Sequence, residues 1–294
     1  MPISHPIWLR HKDISPPVLN GMKSLLDGLS LHTVCEEAHC PNQGICFSKR
    51  AATFLIMGKI CTRNCRFCAI RKGRPLPPDP DEPNNVAKAV DKLRLRHAVI
   101  TSVTRDDLND GGAHHFVETV NAVRQLNLET TIELLIPDFQ GSRESLATVM
   151  ETCPEVMNHN IETVPRLYPR VLPKSNYDLS LRVLREIKDI DGKQITKSGI
   201  MLGLGEKYSE AIEVMSDLIS VGCDVLTIGQ YLQPSHSHYP VARYVTPAEF
   251  ERYRHIGIQM GFCSVASGPF VRSSFNAIDL LDDAKLCRSI NHPV

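Results

Sequence analysis

The sequence predicts an α/β fold, a parallel sheet curving into a partial (β/α)6 barrel of the TIM type with N-terminal and C-terminal extensions. Three observations predict it. Six short β-branched runs recur along the chain, each is followed by a helix-length amphipathic segment, and 294 residues suit one barrel of roughly 200–250 residues plus extensions. Strands separated by helices run parallel, because a parallel pair needs a crossover connection and a helix supplies it.

Residues 1–50 hold several prolines and cysteines with little periodicity, so they read as an irregular extension with a short helical piece at Pro17–Gly28. From Ala51 the strands are expected at 52–57, 97–102, 130–136, 155–161, 195–202 and 224–232. Helices are expected at Val86–Leu95, Phe116–Leu126, Ser142–Thr152, Leu179–Ile190, Ser209–Val221 and Pro247–Met260. The proline-dense segment 71–83 reads as a loop without regular structure. The organisation expected is therefore an extension over 1–50, a barrel over 51–262 and a carboxyl-terminal extension over 263–294.

Lysine plus arginine equals aspartate plus glutamate at 33 each, so no overall field draws the chain to nucleic acid or a membrane surface. No run approaches the roughly 18 apolar residues of a membrane span, and the first residues lack the apolar centre of a secretory signal. A cytoplasmic protein is expected. In a reducing compartment ten cysteines point to metal-binding or catalytic thiols rather than disulfides.

Six of those cysteines form two triads. Cys61, Cys65 and Cys68 have the spacing C-x3-C-x2-C in the loop after the first strand, where parallel barrels put their active sites. Three thiolates on a four-iron cluster leave one iron open for chemistry. A zinc site would need a fourth ligand with its own clear spacing. Cys35, Cys40 and Cys46, spaced C-x4-C-x5-C, read as holding a second cluster, with zinc and His32 or His39 as the rival.

C-x3-C-x-aromatic-C, with Phe67 as the aromatic residue, resembles the signature of the radical S-adenosylmethionine superfamily. The resemblance implies a four-iron cluster whose open iron binds the methionine part of S-adenosylmethionine and which, on reduction, yields a 5′-deoxyadenosyl radical. It also implies cofactor contacts further on. These are Thr104, Gly111 and Gly112 in T-S-V-T-R-D-D-L-N-D-G-G, then Asn158, Asn160 and Glu162 in N-H-N-I-E-T, and Glu206 closing S-G-I-M-L-G-L-G-E. Asn158, Asn160 and Glu162 alternate, so on a strand they share one face, and buried polar groups need partners.

Both triads, the T-S-V-T-R-D-D-L-x-D-G-G and H-N-x-E-T segments, and R-S-S-F-N-A at Arg272–Ala277 together resemble the lipoyl synthase family from about Trp8 to Ala277. That resemblance implies Ser274 as fourth ligand of the auxiliary cluster, a hard oxygen among soft thiolates. It implies insertion of two sulfurs, from that auxiliary cluster, at carbons 6 and 8 of a protein-bound octanoyl-lysine. Its partners would be octanoylated carriers such as 2-oxoacid dehydrogenase acyltransferase subunits or the glycine cleavage H protein, with an electron donor such as flavodoxin or ferredoxin. Two departures stand out: Val171-Leu172-Pro173 where many relatives have arginine-proline, and Phe275 where the serine motif usually has tyrosine. Another two-cluster enzyme of the methylthiotransferase kind, or a non-catalytic metal scaffold, is the alternative. Cys153, Cys223, Cys263 and Cys287 read as isolated core residues, and the His114-His115 and His236-Ser237-His238 groups as solvent-facing or supporting histidines.

Overall fold

β-branched runs covered on both faces read as continuous apolar strands, and the burial of these strands follows that rule. The computed structural model describes residues 6–9, 16–49 and 51–291 and divides into two units. Within the described residues the first unit comprises 16–49, 51–64 and 69–155, the second 6–9, 65–68 and 156–291.

The first unit contains α1 (Pro16–Gly28), β1 (His32–Thr33), α2 (Val34–Glu37), α3 (Gln43–Ser48), β2 (Thr53–Ile56), β3 (Ile60–Cys61) and β4 (Arg71–Lys72). It continues with α4 (Glu82–Leu93), β5 (His97–Ser102), α5 (Ala113–Leu126), β6 (Thr131–Leu135) and α6 (Arg143–Met150). β2, β5 and β6 are parallel neighbours, with Thr53 opposite Val99 and His97 opposite Thr131. β1 joins β2 antiparallel, so the amino-terminal segment contributes a strand where only helical pieces were expected. The 71–83 segment also departs from expectation: its first two residues pair with β3, and its last two open α4. Polar side chains fix the helix starts, as where Ser142 accepts the Ser145 N–H at α6.

The second unit contains β7 (Val156–Asn158), α7 (Tyr168–Val171), α8 (Tyr177–Ile190), β8 (Ile195–Leu202), α9 (Tyr208–Ser220), β9 (Val225–Gln230), α10 (Pro247–Met260), β10 (Ser264–Gly268) and α11 (Ala277–Asn291). Its four strands run parallel in the order β7-β8-β9-β10. β10 was not anticipated: S-V-A-S-G is short and small, and it pairs residue by residue with β9 from Ser264↔Val225 to Gly268↔Gly229. β7 ends at Asn158, short of the expected 161, because the chain turns away and rejoins β8 by a single bridge from Glu162 to Ile200. α10 matches its expected bounds, opened by a Thr246–Glu249 capping box with proline at its first position.

α11 closes the amino ends of these strands. Leu280, Leu281 and Ala284 pack on Val156, Ile195 and Val225. Arg288 reaches Asp224 at 2.7 Å, and Asp224 also binds Lys188 at 2.7 Å. Cys263 and Cys287 form a disulfide, which corrects the reading of both as isolated. They lie 24 residues apart, and pairing across such a gap depends on how α11 folds back, which spacing does not reveal. Cys223 is buried as expected, whereas Cys153 is exposed. Among the described residues no helix is long and apolar enough to cross a membrane.

Leu281 is 2 % exposed in the centre of this cluster. Leu281→Ala should lower stability by about 2–5 kcal/mol, read as a shift of the urea midpoint with an unchanged slope.

Candidate active site

Parallel strands end on one side of their sheet, so the loops that follow them gather there. In the first unit the loop after β2 carries Cys61, the loop after β5 carries Thr104, Gly111 and Gly112, and Asp138 follows β6. Arg63 ties these three loops together. Its guanidinium is buried and takes Asp106 at 2.8 and 2.9 Å and Asp138 at 2.5 and 2.6 Å. Burial pulls the guanidinium's pKa down, but the hydrogen bonds it donates to Asp106 and Asp138 outweigh it and hold the charge. Thr62 adds a second stitch, donating through N–H and hydroxyl to the Thr104 carbonyl and accepting the Asp106 N–H at 3.1 Å. The Arg63 N–H points at the Cys61 sulfur at 3.4 Å.

Gly111 and Gly112 adopt φ of +63° and +90° at the entrance to α5. The backbone conformation requires the motif's second glycine, and a Cβ there would also push the end of the Met57 side chain aside. Asp110 accepts the N–H groups of Gly112 (2.8 Å) and His114 (2.9 Å), fixing the turn. His115 is buried rather than solvent-facing, bonded to Glu82, whose same oxygen accepts the Met57 N–H.

The first triad is assembled by three successive turns. Cys40 N–H donates to the Cys35 carbonyl (3.1 Å), Gln43 N–H to the Cys40 carbonyl (3.1 Å), and Cys46 N–H to the Asn42 carbonyl (2.9 Å). His39 makes its turn at φ +51°, and His32 faces Glu37 at 3.7 Å. The Cys35 thiol is pushed up to about 12 by burial, and further by the negative charges of Cys40, Cys46 and Glu36, while the Thr53 backbone acts the other way. The three sulfurs therefore feel one another. Among the described residues no three His, Cys, Asp or Glu groups close tightly enough around a single ion. A four-iron cluster is larger than an ion, so its thiolates stand further apart, and an all-cysteine donor set has the softness that iron–sulfur clusters select.

In the second unit the turn Cys65–Cys68 closes through Cys68 N–H to the Cys65 carbonyl (3.4 Å). Arg66 anchors it by donating to the Val171 carbonyl (2.8 Å) and accepting the Tyr239 N–H (2.8 Å). Phe67 is half-buried in this turn. Burial first, then the nearby Cys68 charge, raises the Tyr231 phenol. Leu172 is a buried apolar residue.

Asn158 is fully buried at the end of β7, and Asn160 and Glu162 follow in the turn beyond it. Asn160 donates to Glu162 (3.2 Å) and accepts from the Ser273 hydroxyl (2.9 Å). Gly199 makes room for this pair, since a Cβ there would lie 2.8 Å from the Asn160 oxygen and 3.1 Å from the Ser273 oxygen. Ser274, half-buried, is the next residue in that turn. Glu206 is buried, and its two oxygens accept the N–H groups of Gly203 (2.7 Å) and Leu204 (2.9 Å), so its carboxylate shapes the turn. Burial pushes the Glu162 carboxyl up to about 7 against the opposing bond from Asn160.

A model of the Radical SAM superfamily matches residues 55–218. A lipoyl synthase of Caldanaerobacter subterraneus is 55% identical over 277 residues, covering 94% of this chain and 97% of that protein. The chain belongs to the lipoyl synthase family. A lipoyl synthase of Geobacter metallireducens is 54% identical over 94% of this chain and 96% of its own. Among solved structures, HydG, a maturase of the [FeFe]-hydrogenase, aligns with TM-score 0.57 at 14% identity over 87% of this chain and 57% of that one. Methylornithine synthase aligns with TM-score 0.51 at 16% identity over 77% of this chain and 69% of that one. Those likenesses show the fold, an α/β partial barrel of the radical SAM type. Lipoyl synthase membership in turn implies four-iron clusters and S-adenosylmethionine as cofactors, which suits both cysteine sets described above.

Arg63, Asp106 and Asp138 were not singled out from sequence. A basic residue inside a cysteine motif whose acidic partners come from two other loops gives no local signal.

Two outcomes follow from this geometry. Arg63→Ala leaves two carboxylates facing each other without their cation and should cost about 3–5 kcal/mol, measured by denaturant unfolding. Glu162 is protonated more readily folded than unfolded, so the stability tied to its protonated form is full below about pH 4.5 and is lost as pH rises through about 7. Glu162→Gln should therefore be more stable than the parent at pH 8, with the gap vanishing near pH 4, in pH-resolved melting curves of the metal-free chain.

Proposed function

We propose that the chain holds one four-iron cluster on Cys61, Cys65 and Cys68 and an auxiliary one on Cys35, Cys40, Cys46 and Ser274, and acts in the cytoplasm on octanoylated carrier proteins. The overall activity is that of a lipoyl synthase, a radical sulfur-inserting enzyme. The carriers are 2-oxoacid dehydrogenase acyltransferase subunits or the glycine cleavage H protein, and a flavodoxin or ferredoxin donates electrons. Residues 1–50 bring the auxiliary cysteines, 51–262 the radical-forming barrel and 263–294 the serine ligand.

When bound, these groups supply a 5′-deoxyadenosyl radical that removes hydrogen at carbons 6 and 8 of the octanoyl chain, and the sulfur that replaces it. The chain's own residues do the positioning. Phe67, Thr104, Gly111, Gly112, Asn158, Asn160 and Glu162 border the S-adenosylmethionine site, and Glu206 contributes by ordering the Gly203–Leu204 amides. Ser274 adds a hard oxygen to three soft thiolates, the ligand most readily released from iron. Radical abstraction demands near contact, so both clusters have to open on one cavity that admits an eight-carbon chain. Identity of 55% over nearly the whole chain, joined to both cysteine triads, carries the reading.

Anaerobic reconstitution should load about eight irons and eight sulfides per chain. An octanoyl-lysyl peptide incubated with the loaded chain, S-adenosylmethionine and reductant should gain the mass of two sulfurs. Cys61→Ala should abolish deoxyadenosine formation. Cys40→Ala should keep it and lose sulfur insertion, and lipoyl product from that variant would refute the auxiliary cluster as donor.

A further inference from the structure

Between residues 53 and 78 the chain carries six lysines and arginines and no aspartate or glutamate, in a molecule whose formal charge is zero. Arg63 is taken up by Asp106 and Asp138. In the first unit that leaves Lys59, Arg71, Lys72 and Arg74, all exposed and, among the described residues, in no ion pair. Arg74 acts on Asp107, whose carboxyl is held below its ordinary range mainly by the Arg105 hydrogen bond and further by the charges of Arg105 and Arg74. These cations are carried on or beside the ribbon β3–β4, in which Cys61 lies opposite Lys72. Gly73 N–H donates to the Cys61 carbonyl at 3.0 Å, so one backbone hydrogen bond joins the basic surface to a cysteine of the second triad. Prolines 75, 77, 78 and 80 stiffen the chain that follows, which lowers the ordering cost of presenting this surface.

We propose that this ribbon is the docking surface for an acidic one-electron carrier protein. The inference rests on the proposed ligation of a reducible cluster by Cys61, Cys65 and Cys68. Complexes of electron carriers are small, short-lived and guided by charge, and a short ribbon carrying exposed cations, followed by one exposed apolar residue, Leu76, has that character. Its backbone link to Cys61 favours an electron donor over the acyl carrier, whose requirement is a channel for its octanoyl arm.

The test uses the reconstituted chain, an acidic flavodoxin as probe, and the triple variant Arg71→Glu, Lys72→Glu, Arg74→Glu. Calorimetric titration at low ionic strength should show flavodoxin affinity reduced about tenfold or more, with the parent's own affinity falling as salt is added. Arg71→Lys with Arg74→Lys should retain binding, which separates charge from folding damage. With dithionite in place of flavodoxin, lipoyl formation by the triple variant should equal the parent's. Unchanged flavodoxin affinity overturns the proposal, as does a selective loss of affinity for an octanoylated carrier domain. A parent chain that makes no lipoyl product with dithionite would instead overturn the functional reading and leave the binding result to decide the docking surface.

Discussion

One buried guanidinium bridging two carboxylates fixes the geometry of the first unit. Arg63 follows β2, Asp106 follows β5 and Asp138 follows β6, so a single side chain joins the loops after three consecutive parallel strands. Buried ion pairs add little net stability, because desolvation offsets most of the attraction. Their value lies in geometry: a planar fork with five donors accepts two carboxylates in one arrangement, which a flexible ammonium does not enforce. Cys61 stands two residues before that fork and Thr104 two before Asp106, so both inherit its rigidity.

The second unit meets the equivalent demand by subtraction. Gly199 on β8 and Gly229 on β9 present bare backbone to the turn that carries the two serines; Gly199 clears space for the Asn160–Ser273 bond and Gly229 for the Val271 carbonyl. Any side chain at either position would lift the turn off the sheet. The disulfide and the Arg288–Asp224 pair hold α11 beneath the same strands. Ser273 and Ser274 gain their positions from this support.

Periodicity made six strands and six helices legible, because covered parallel strands are continuously apolar and their helices have one apolar face. It failed where an element is too short or too small to carry a period. β1 and the β3–β4 ribbon are two residues per strand, and β10 is built largely from serine, alanine and glycine. Cysteine spacing was legible because each triad lies within one short stretch of chain. The Cys263–Cys287 pair and the carboxylates of Arg63 were not, since their partners meet only after the chain has folded. Glu206 illustrates a third case: its place in a motif was visible, but its carboxylate is occupied by its own turn.

The two triads begin from different electrostatic surroundings. Cys61, Cys65 and Cys68 stand in a stretch of 26 residues, 53–78, that carries six cations and no carboxylate. Cys35 is buried, beside Glu36 and two other thiols, and its thiol is pushed up to about 12. Burial and the neighbouring negative charges both favour the protonated Cys35 thiol. β2 spans only four residues, roughly 10 Å of strand, yet the Thr53 backbone at its start contacts Cys35 and Cys61 follows five residues after its end. A single short strand thus ties the buried Cys35 thiol at one end to the segment that carries Cys61 at the other.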